Sequence, residues 1–471
     1  MIISHQLALS GIKRFNNYME IRTSNVMAGV IEKADVYLWD TMIGSVTWQR
    51  GLGFFEYSKH FQRSGIELSP IKMPLSGKSY SFGGLSEETF KGLPGMLADS
   101  LPDKFGNRLI DQWLERNSRN PESFSPIERL CYIGSRGMGG LEFRPTVGEI
   151  KESVSEIQLS ELVDLANKAL QEKTELNATF DHEGQDARRE TVEQIILVGT
   201  SAGGARAKAI IAWNKETNVI KTGQAPAGEG FDYYLLKFDG VDGNKDKELL
   251  SDPKGFGLLE YAYYLMAVDT GVEMNECRLF EENGRSHFMT KRFDRLNGGD
   301  KIHMQSLCGM AHYDFNVSGG YSYEQAIGVM RQLGLSAKEI EQFYLRMVFN
   351  VVLVNQDDHT KNISFLMDQS GVWKLSPAYD ITYSNGAGWT SKHQMTINGK
   401  TRDIQLDDLL AVAKFADIGK AKAKKMVKVV VETASNWSHY AKESGLAAFG
   451  DMDELVTEVG KAHRLYLGEN L

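Results

Sequence analysis

Residues 347–380 read "MVFNVVLVNQDDHTKNISFLMDQSGVWKLSPAYD", and three patterns in this stretch predict how it folds. The first eight residues are mostly apolar and end a segment with the pattern of a buried helix. The next eight, "NQDDHTKN", are all polar, and the remainder reads as strand, turn and strand. Polar and charged groups are costly to bury. The cluster is therefore either a polar loop after a core helix or a site whose chemistry needs these groups.

Asp357 and Asn362 are separated by four residues, which is the spacing of the catalytic loop of protein kinases. In that loop the Asp accepts the proton of the substrate hydroxyl and the Asn holds a magnesium ion. The predicted hairpin brings Asp380 back toward Asn362. Magnesium takes only one or two protein oxygens beside the phosphates, so Asn362 and Asp380 are the candidate metal ligands. The alternative for Asp380 is a turn-capping residue after Pro377.

A Gly-rich segment, "GTSAGGARAK" at residues 199–208, joins two predicted strands further upstream. Small residues let backbone N–H groups approach an anion, and Arg206 or Lys208 would add positive charge. The segment is not a Walker A loop, because Ala205 and Arg206 stand where Gly-Lys-Ser/Thr is required. A flexible hairpin turn is the alternative.

Lys237 lies in the middle of the predicted strand "YYLLKFD", and Glu260 lies on the next predicted helix. An ammonium among aromatic and aliphatic residues needs a partner, and Glu260 is the first candidate, as in the Lys–Glu pair of kinases. The alternative is an outward-facing lysine that discourages strand pairing. A Gly-rich turn, a strand Lys, a helix Glu, an Asp-x4-Asn pair and an Asp, in this order, together indicate a kinase core.

The sequence predicts strands and turns over residues 35–85, a helical stretch over residues 95–116, a helix that ends at Gly271 and a helix that a Ser336–Glu339 capping box opens.

The order of the predicted elements favours an α+β protein with a two-lobed, protein-kinase-like fold. We expect a β-rich N-terminal lobe with an extra N-terminal subdomain, followed by a mostly helical C-terminal lobe. The expected divisions are an N-terminal extension, an N-terminal subdomain, the kinase N-lobe and the helical C-lobe, at residues 1–30, 31–150, 151–320 and 321–471. The strongly charged tract at residues 146–190 is the expected domain boundary or hinge.

The composition argues against several classes of protein. A net charge of −9 over 471 residues argues against a chain that coats nucleic acid or an anionic membrane by itself. The three cysteines are far apart and lack CxxC spacing, so neither a disulfide framework nor a thiolate metal site is expected. No stretch approaches the roughly 18–20 apolar residues of a membrane span. These features predict a cytoplasmic protein with no membrane partner.

His359 supports a rival interpretation of the polar cluster. Asp357, Asp358, His359 and Asp380 could supply oxygen and imidazole ligands to the metal centre of a phosphohydrolase. A second His at helical spacing and an HExxH motif are both absent from the sequence. In the kinase interpretation, His359 is instead a group that holds the loop.

With these residues in view, the chain resembles the HipA family, the serine/threonine kinase toxins of bacterial toxin–antitoxin pairs. The resemblance begins near residue 35 and covers most of the chain. "LPGMLADSLPDKFGNRLI" and "RLCYIGSRGMGGLEFRP" are similar to the N-terminal motifs of the family, and "SAGGARAK" is similar to its phosphate loop. The most specific match is "NQDDHTKNISFL" with "WKLSPAYDI". The phosphate loop departs from the family, reading Gly-Gly-Ala-Arg-Ala-Lys where Gly-Ala-Gln-x-Lys is commoner.

The resemblance implies roles for individual residues. Asp357 would be the catalytic base, Asn362 and Asp380 would hold Mg2+, and Lys237 would contact the ATP phosphates. Ser201 would be the autophosphorylated serine, with Thr200 as the adjacent alternative. The residues implied at the ATP site are Ser201, Gly203, Gly204, Ala205, Lys208, Lys237, Glu260, His359 and Lys361.

The resemblance also implies partners and leaves alternatives open. It implies a protein substrate, best known as glutamyl-tRNA synthetase, and a small helix-turn-helix antitoxin (HipB-like). Operator DNA would be bound mainly through that antitoxin. One alternative is a weakly active co-repressor that works with a DNA-binding antitoxin. Another is a kinase that acts on a small molecule.

Overall fold

The N-terminal part of the chain forms a five-stranded antiparallel sheet. The computed structural model describes residues 30–116, 118–145, 207–224, 226–240, 254–282, 284–296, 299–450 and 452–469. The sheet has the order β4-β3-β2-β1-β5. Its strands are β1 (Lys33–Leu38), β2 (Thr41–Gln49), β3 (Leu52–Tyr57), β4 (Ser79–Tyr80) and β5 (Leu141–Arg144). The strand-and-turn pattern predicted for residues 35–85 is therefore confirmed.

Four helices lie between β4 and β5. They are α1 (Glu87–Phe90), α2 (Gly95–Ala98), α3 (Lys104–Arg116) and α4 (Pro126–Ile133). The helical stretch predicted over residues 95–116 is present as two helices, α2 and α3, because it is interrupted at residues 99–103. Pro102 lacks an N–H group and disfavours helical geometry in the residue before it. Asp103 then starts α3 by accepting a hydrogen bond from the Gly106 N–H at 2.6 Å.

A second antiparallel sheet follows in the middle of the chain, with the order β7-β6-β8-β10-β9. Its strands are β6 (Lys208–Asn214), β7 (Val219–Thr222), β8 (Asp232–Lys237), β9 (Cys277–Glu282) and β10 (Arg285–Lys291). Helix α5 (Phe256–Thr270) packs on β9 and β10 and ends at Gly271, whose φ of +84° confirms the predicted C-cap. The register places Lys208 of β6 opposite Lys237 of β8.

The C-terminal part is mainly helical, as predicted. It contains α6 (Leu307–Ala311), α7 (Tyr323–Gln332), α8 (Ala337–Val352), α9 (Leu406–Phe415), α10 (Lys420–Ser435), α11 (Trp437–Glu443) and α12 (Asp453–Ala462). Short strands accompany them: β11 (His303–Ser306), β12 (Tyr321–Ser322), β13 (Ser364–Met367), β14 (Trp373–Leu375) and β15 (Met395–Thr396). β11, β13 and β14 form one small sheet, and β12 pairs with β15 in parallel.

Helix α8 carries the polar cluster at its C-terminal end. Ser336 and Glu339 form the predicted capping box, in which each side chain accepts a hydrogen bond from the backbone N–H of the other. Nearly every residue in the second half of the helix is buried, including Phe349 and Val352 at 0% exposure. Burial on all sides fixes the helix, so the loop that follows it starts from a rigid position.

The N-terminal sheet is joined to the rest of the chain by buried charged groups. Asp294 accepts a hydrogen bond from the Gly139 N–H at 2.7 Å, and the Arg295 guanidinium donates to the carbonyls of Gly137 and Gly139. Arg292 pairs with the same carboxylate at 2.7 Å. The segment "GSRGMGG" thus docks the N-terminal part of the chain onto residues 292–295.

Two further expectations from the composition can be compared with the described residues. Cys131, Cys277 and Cys308 are all described, and each is a buried free thiol, as expected. None of the helices in the described ranges combines the length and the apolar character that a bilayer span requires.

Candidate active site

Asp358 anchors the polar loop that follows α8. Its carboxylate accepts hydrogen bonds from the Tyr323 hydroxyl at 2.8 Å and the Gln394 N–H at 2.7 Å, and lies 2.9 Å from His393 Nδ1. The Asp358 side chain is 1% exposed. Burial by itself would raise the pKa of Asp358, but His393 and these hydrogen bonds hold it below its usual range. The loop is thus fixed through a buried, ionised and well-satisfied carboxylate.

Asp357 has the opposite environment, although it is the adjacent residue. Its side chain is 40% exposed, and its Oδ1 accepts a hydrogen bond from Trp389 Nε1 at 2.8 Å. His359 Nε2 lies 3.8 Å from the same oxygen. Desolvation by the surrounding protein raises the pKa of Asp357, while His359 and the Trp389 hydrogen bond act against that rise. A carboxylate that is accessible and has a raised pKa is suited to accept a proton.

Asn362 and Asp380 line the same small cavity beside the loop. The Asn362 side-chain N–H donates to the Asp357 carbonyl at 2.9 Å, so its side-chain oxygen is available to a cation. Asp380 has a φ of +53°, a left-handed conformation that Asp adopts more readily than most residues. The preceding Tyr379 donates its hydroxyl to the Lys361 carbonyl at 2.8 Å. The β13–β14 hairpin therefore returns Asp380 to the loop, as the sequence predicted.

Lys237 connects the second sheet to Asp380. Its ammonium lies 2.5 Å from Glu260 Oε1 and also contacts the Asp380 carboxylate. Burial by itself would lower the pKa of Lys237, but the Asp380 and Glu260 carboxylates raise it above its usual value. Burial would likewise raise the pKa of Asp380, and the Lys237 ammonium holds it below its usual range. The predicted Lys237–Glu260 contact is present.

Lys208 lies beside Lys237 on the sheet but contacts a different carboxylate. Its ammonium is 3.2 Å from Asp103 Oδ2, and the two side chains are 2% and 4% exposed. Lys208 also lowers the pKa of Asp380, with a smaller effect than that of Lys237. Lys208 is therefore close enough to influence the Asp380 site electrostatically.

Chemically, this cleft combines a base candidate, two oxygen donors for a hard cation and two ammonium groups. Asp357, Asn362 and Asp380 come from the loop and hairpin, and Lys237 and Lys208 come from the sheet. Such a set can hold a polyphosphate with its cation and accept a proton from a hydroxyl group.

Comparisons with known proteins place the chain in a family. A family model described as the HipA N-terminal domain matches residues 34–144, and one described as the HipA-like C-terminal domain matches residues 200–438. The second model alone spans more than half of the 471 residues. The chain belongs to the HipA family.

The curated relatives of this HipA family chain match only part of it. "Putative kinase Y4mE" of Sinorhizobium fredii (strain NBRC 101917 / NGR234) is 26% identical over 125 residues, which are 25% of this chain and 30% of the relative. "Putative kinase Y4dM" of the same strain is 29% identical over 152 residues, which are 31% of this chain and 34% of the relative. The matched stretch spans about a third of the length of each relative.

A solved structure matches nearly the whole HipA family chain. The toxin–antitoxin complex of HipA, HipB and operator DNA from Shewanella oneidensis MR-1 contains a chain that aligns with a TM-score of 0.59 at 17% identity. The alignment covers 93% of this chain and 96% of that chain. At this identity the likeness shows the fold, and the α+β, protein-kinase-like class expected from the sequence is confirmed.

Several residues predicted for the ATP site of this HipA family chain lie outside the described residues. They are Ser201, Gly203, Gly204 and Ala205, together with Arg206. The charged tract at residues 146–190 lies outside them as well, as does the extension at residues 1–29. The roles predicted for these residues stay predictions.

His359 and Lys361 flank an aromatic ring that the sequence did not single out. The His359 ring lies 5.4 Å from the centroid of Phe315, and the Lys361 ammonium lies 5.5 Å from it. The His359 backbone closes the loop by accepting a hydrogen bond from the Asn362 N–H at 2.9 Å. The side chain that anchors the loop is that of Asp358, because its buried carboxylate offers several acceptor sites to distant donors.

The rival phosphohydrolase centre is not assembled in the described part of the chain. The Asp358 carboxylate is engaged by Tyr323, His393 and Gln394 in a buried network, so it is not free to serve as a metal ligand together with Asp380. Among the described residues, no group of three or more His, Cys, Asp or Glu side chains could hold a metal ion.

Reasoning from the sequence missed Trp389, His393 and Asp103. Trp389 lies 32 residues after Asp357, and His393 lies 35 residues after Asp358. Both stand in a segment without a motif, so no spacing indicated them. Asp103 stands in the quoted motif "LPDKFGN", but nothing local connects it with a lysine of the second sheet.

Proposed function

We propose that this HipA family chain is an ATP- and Mg2+-dependent serine/threonine protein kinase and the toxin of a toxin–antitoxin pair. The observation that carries the proposal is the Lys237 ammonium, which is shared between Glu260 at 2.5 Å and Asp380. Asp380 in turn lines one cavity with Asn362, next to Asp357. This is the combination of groups that phosphoryl transfer requires.

The residues fit a nucleotide with its magnesium ion. Asn362 and Asp380 offer one amide and one carboxylate oxygen, which suits an ion that keeps several waters and also binds phosphate oxygens. The Lys237 ammonium, held ionised by two carboxylates, would pair with the nucleotide phosphates. The bound magnesium ion would neutralise negative charge on the phosphates. In this proposal Glu260 would orient Lys237, and Asp380 would help to hold the cation.

Asp357 would accept the proton of the attacking serine or threonine hydroxyl. Its Oδ1 accepts a hydrogen bond from Trp389, which orients the carboxylate, and the side chain is partly exposed. The Asn362 hydrogen bond to the Asp357 carbonyl fixes the position of the metal-binding amide relative to the base. General-base catalysis of this kind typically contributes 10²–10⁴-fold.

The partners follow from the relatives and belong to the same proposal. The structural relative was solved with HipB and operator DNA, and we infer a small helix-turn-helix antitoxin of the HipB type for this chain. The net charge of −9 agrees with an antitoxin that provides most of the affinity for DNA. The substrate would be a cellular protein, with glutamyl-tRNA synthetase as the first candidate, and the chain would act in the cytoplasm.

The test is transfer of labelled phosphate in a lysate. Purified wild-type protein and Asp357→Asn are incubated with γ-labelled ATP and magnesium, and the labelled proteins are identified by mass spectrometry. Wild type should label one major protein on serine or threonine, and Asp357→Asn should not. Equal labelling by both proteins, or none by wild type, would exclude the kinase. A chain that turns over no ATP but shifts operator DNA with its antitoxin would instead be a co-repressor.

A further inference from the structure

The buried ion pair between Asp103 and Lys208 joins two separate parts of the chain. Asp103 lies just before α3, in the part of the chain between β4 and β5, whereas Lys208 is the first residue of β6 in the second sheet. Their charged atoms are 3.2 Å apart, and neither side chain is more than 4% exposed. A buried charge is costly unless it is paired. Each residue therefore depends on the other part of the chain being docked.

The register of the second sheet explains why Lys208 needs a carboxylate of its own. Lys208 and Lys237 are directly opposite each other on neighbouring antiparallel strands, so their side chains share one face. Cβ atoms in such pairs are only about 4.5–5.5 Å apart, and like charges in this position repel each other. Glu260 and Asp380 already pair with Lys237. Asp103 supplies the counter-charge that lies next to Lys208.

Asp103 is held rigidly, so it can fix the position of Lys208. Its Oδ1 accepts a hydrogen bond from the Gly106 N–H at 2.6 Å, and the Asn107 side chain donates to its carbonyl at 2.9 Å. Asn107 is in turn bound by the Arg129 guanidinium at 2.8 Å. The start of α3 thus cannot move without breaking contacts to α4. The pair with Asp103 therefore ties Lys208 to a rigid element that lies outside the second sheet.

We propose that Asp103 is a positioning residue of the nucleotide site: by pairing with Lys208 it keeps a second ammonium next to Lys237 and Asp380, where the phosphates would bind. The proposal rests on the function proposed above. It makes the segment that starts α3 part of the active site, because this segment must be docked to place Lys208. A purely structural ion pair would affect the stability of the chain but not the affinity for nucleotide.

The experiment compares Asp103→Asn with the matched control Asp111→Asn. Both aspartates belong to the same helical segment, but Asp111 is 40% exposed and pairs with Arg129 at 2.9 Å, away from β6. Two quantities are measured on the full chain. One is the rate at which an amine-acylating reagent modifies Lys208 without nucleotide, followed by peptide mass spectrometry. The other is the KM for Mg-ATP together with kcat.

In Asp103→Asn, Lys208 should be acylated faster than in wild type, because the amine is released from its ion pair. The KM for Mg-ATP should rise on the order of ten- to a hundredfold, as for other groups that orient a ligand-binding side chain. The kcat should change much less. Asp111→Asn should match wild type in both measurements. In a Lys208→Met background, Asp103→Asn should have little further effect on KM, because the group that it positions is gone.

If wild type binds Mg-ATP and Asp103→Asn has an unchanged KM for Mg-ATP, this proposal is overturned while the proposed function stands. Equal effects of Asp103→Asn and Asp111→Asn would overturn it as well. A wild-type protein that binds no Mg-ATP would overturn the proposed function and this proposal together. If Asp103→Asn does not fold, the double variant Asp103→Asn/Lys208→Met removes both buried charges. Its KM must then equal that of Lys208→Met for the proposal to stand.

Discussion

Asp357 and Asp358 are consecutive residues whose carboxylates have opposite surroundings: Asp358 is 1% exposed within a buried network, and Asp357 is 40% exposed at the cleft. The environment lowers the pKa of Asp358 and raises that of Asp357. One carboxylate therefore stabilises the loop by being ionised, and its neighbour is available for chemistry. The two aspartates provide matched variants for separating structure from function.

Asp358→Asn should destabilise the protein, whereas Asp357→Asn should not. Asn keeps the size of the side chain but loses the charge that Tyr323, His393 and the Gln394 N–H all contact. Breaking such a buried charged network costs about 2–4 kcal/mol. Asp357→Asn should stay within about 0.5 kcal/mol of wild type, since its side chain is partly exposed. Urea unfolding at pH 7 measures both free energies.

The stability difference for Asp358→Asn should also depend on pH in a defined direction. A carboxyl whose pKa is lower in the folded protein contributes stability above its unfolded pKa of about 4. That contribution is lost as the pH falls through the lower pKa of the folded protein. The unfolding free energies of wild type and Asp358→Asn should therefore converge below about pH 4. A difference that stays constant down to pH 3 would contradict the role of the ionised Asp358 carboxylate.

Trp389→Phe should shift the acidic limb of the pH–rate profile of phosphate transfer to higher pH. The base must be ionised, so the rate falls as the pH drops through the pKa of Asp357. The Trp389 N–H stabilises the ionised form. Removing the Trp389 N–H should raise the pKa of Asp357 further. The measurement is the pH dependence of kcat/KM from pH 4 to 9. Trp373→Phe is the control, because the Trp373 indole donates to the Glu67 carbonyl at 3.0 Å instead. An identical limb in both variants would show that Asp357 is not the titrating base.

Asp380→Asn and Asp357→Asn should separate nucleotide binding from transfer. Asn tolerates the left-handed backbone of Asp380, so the substitution removes charge with little strain. Magnesium-dependent ATP binding, measured by calorimetry with and without EDTA, should weaken on the order of ten- to a hundredfold in Asp380→Asn. Asp357→Asn should bind Mg-ATP nearly as wild type does but transfer phosphate 10²–10⁴-fold more slowly, roughly the value of a general base. Equal loss of affinity in both variants would contradict this division of roles.

Incubation with Mg-ATP should add a phosphate to Ser201 of the wild-type protein and switch the enzyme off. A phosphate carries roughly −1.5 to −2 charges at neutral pH and would compete with ATP for the donors of the Gly-rich loop. Peptide mapping of residues 195–210 should find the phosphate in wild type but not in Ser201→Ala or Asp357→Asn. Phosphate on Thr200 would move the site by one residue. Modification of Asp357→Asn, purified from cells without a related kinase, would rule out self-modification.

The sequence by itself determined the elements around the cleft. The Ser336–Glu339 capping box and the buried apolar run predicted α8, and the strand pattern after Asn362 predicted the hairpin that returns Asp380. The kinase-like order of Lys237, Glu260 and the loop could be found because each signal lies within a short window of sequence. Backbone hydrogen bonding and side-chain periodicity act over such windows. The same local rules missed the break at residues 99–103, where Pro102 and Asp103 override the helical pattern.

Only the tertiary structure decided which carboxylate is buried and which partner it has. In sequence, Asp357 and Asp358 differ only in their spacing to Asn362, and it is the distant residues Trp389 and His393 that set their surroundings. Similarly, Asp103 and Lys208 meet because the segment that starts α3 docks against the start of β6. Such pairs form only when elements that are distant in sequence pack together. Their energies depend on burial, which a short stretch of sequence does not determine. The chemistry of the cleft was therefore visible in the sequence, but the ionisation and positioning of its groups were set by packing.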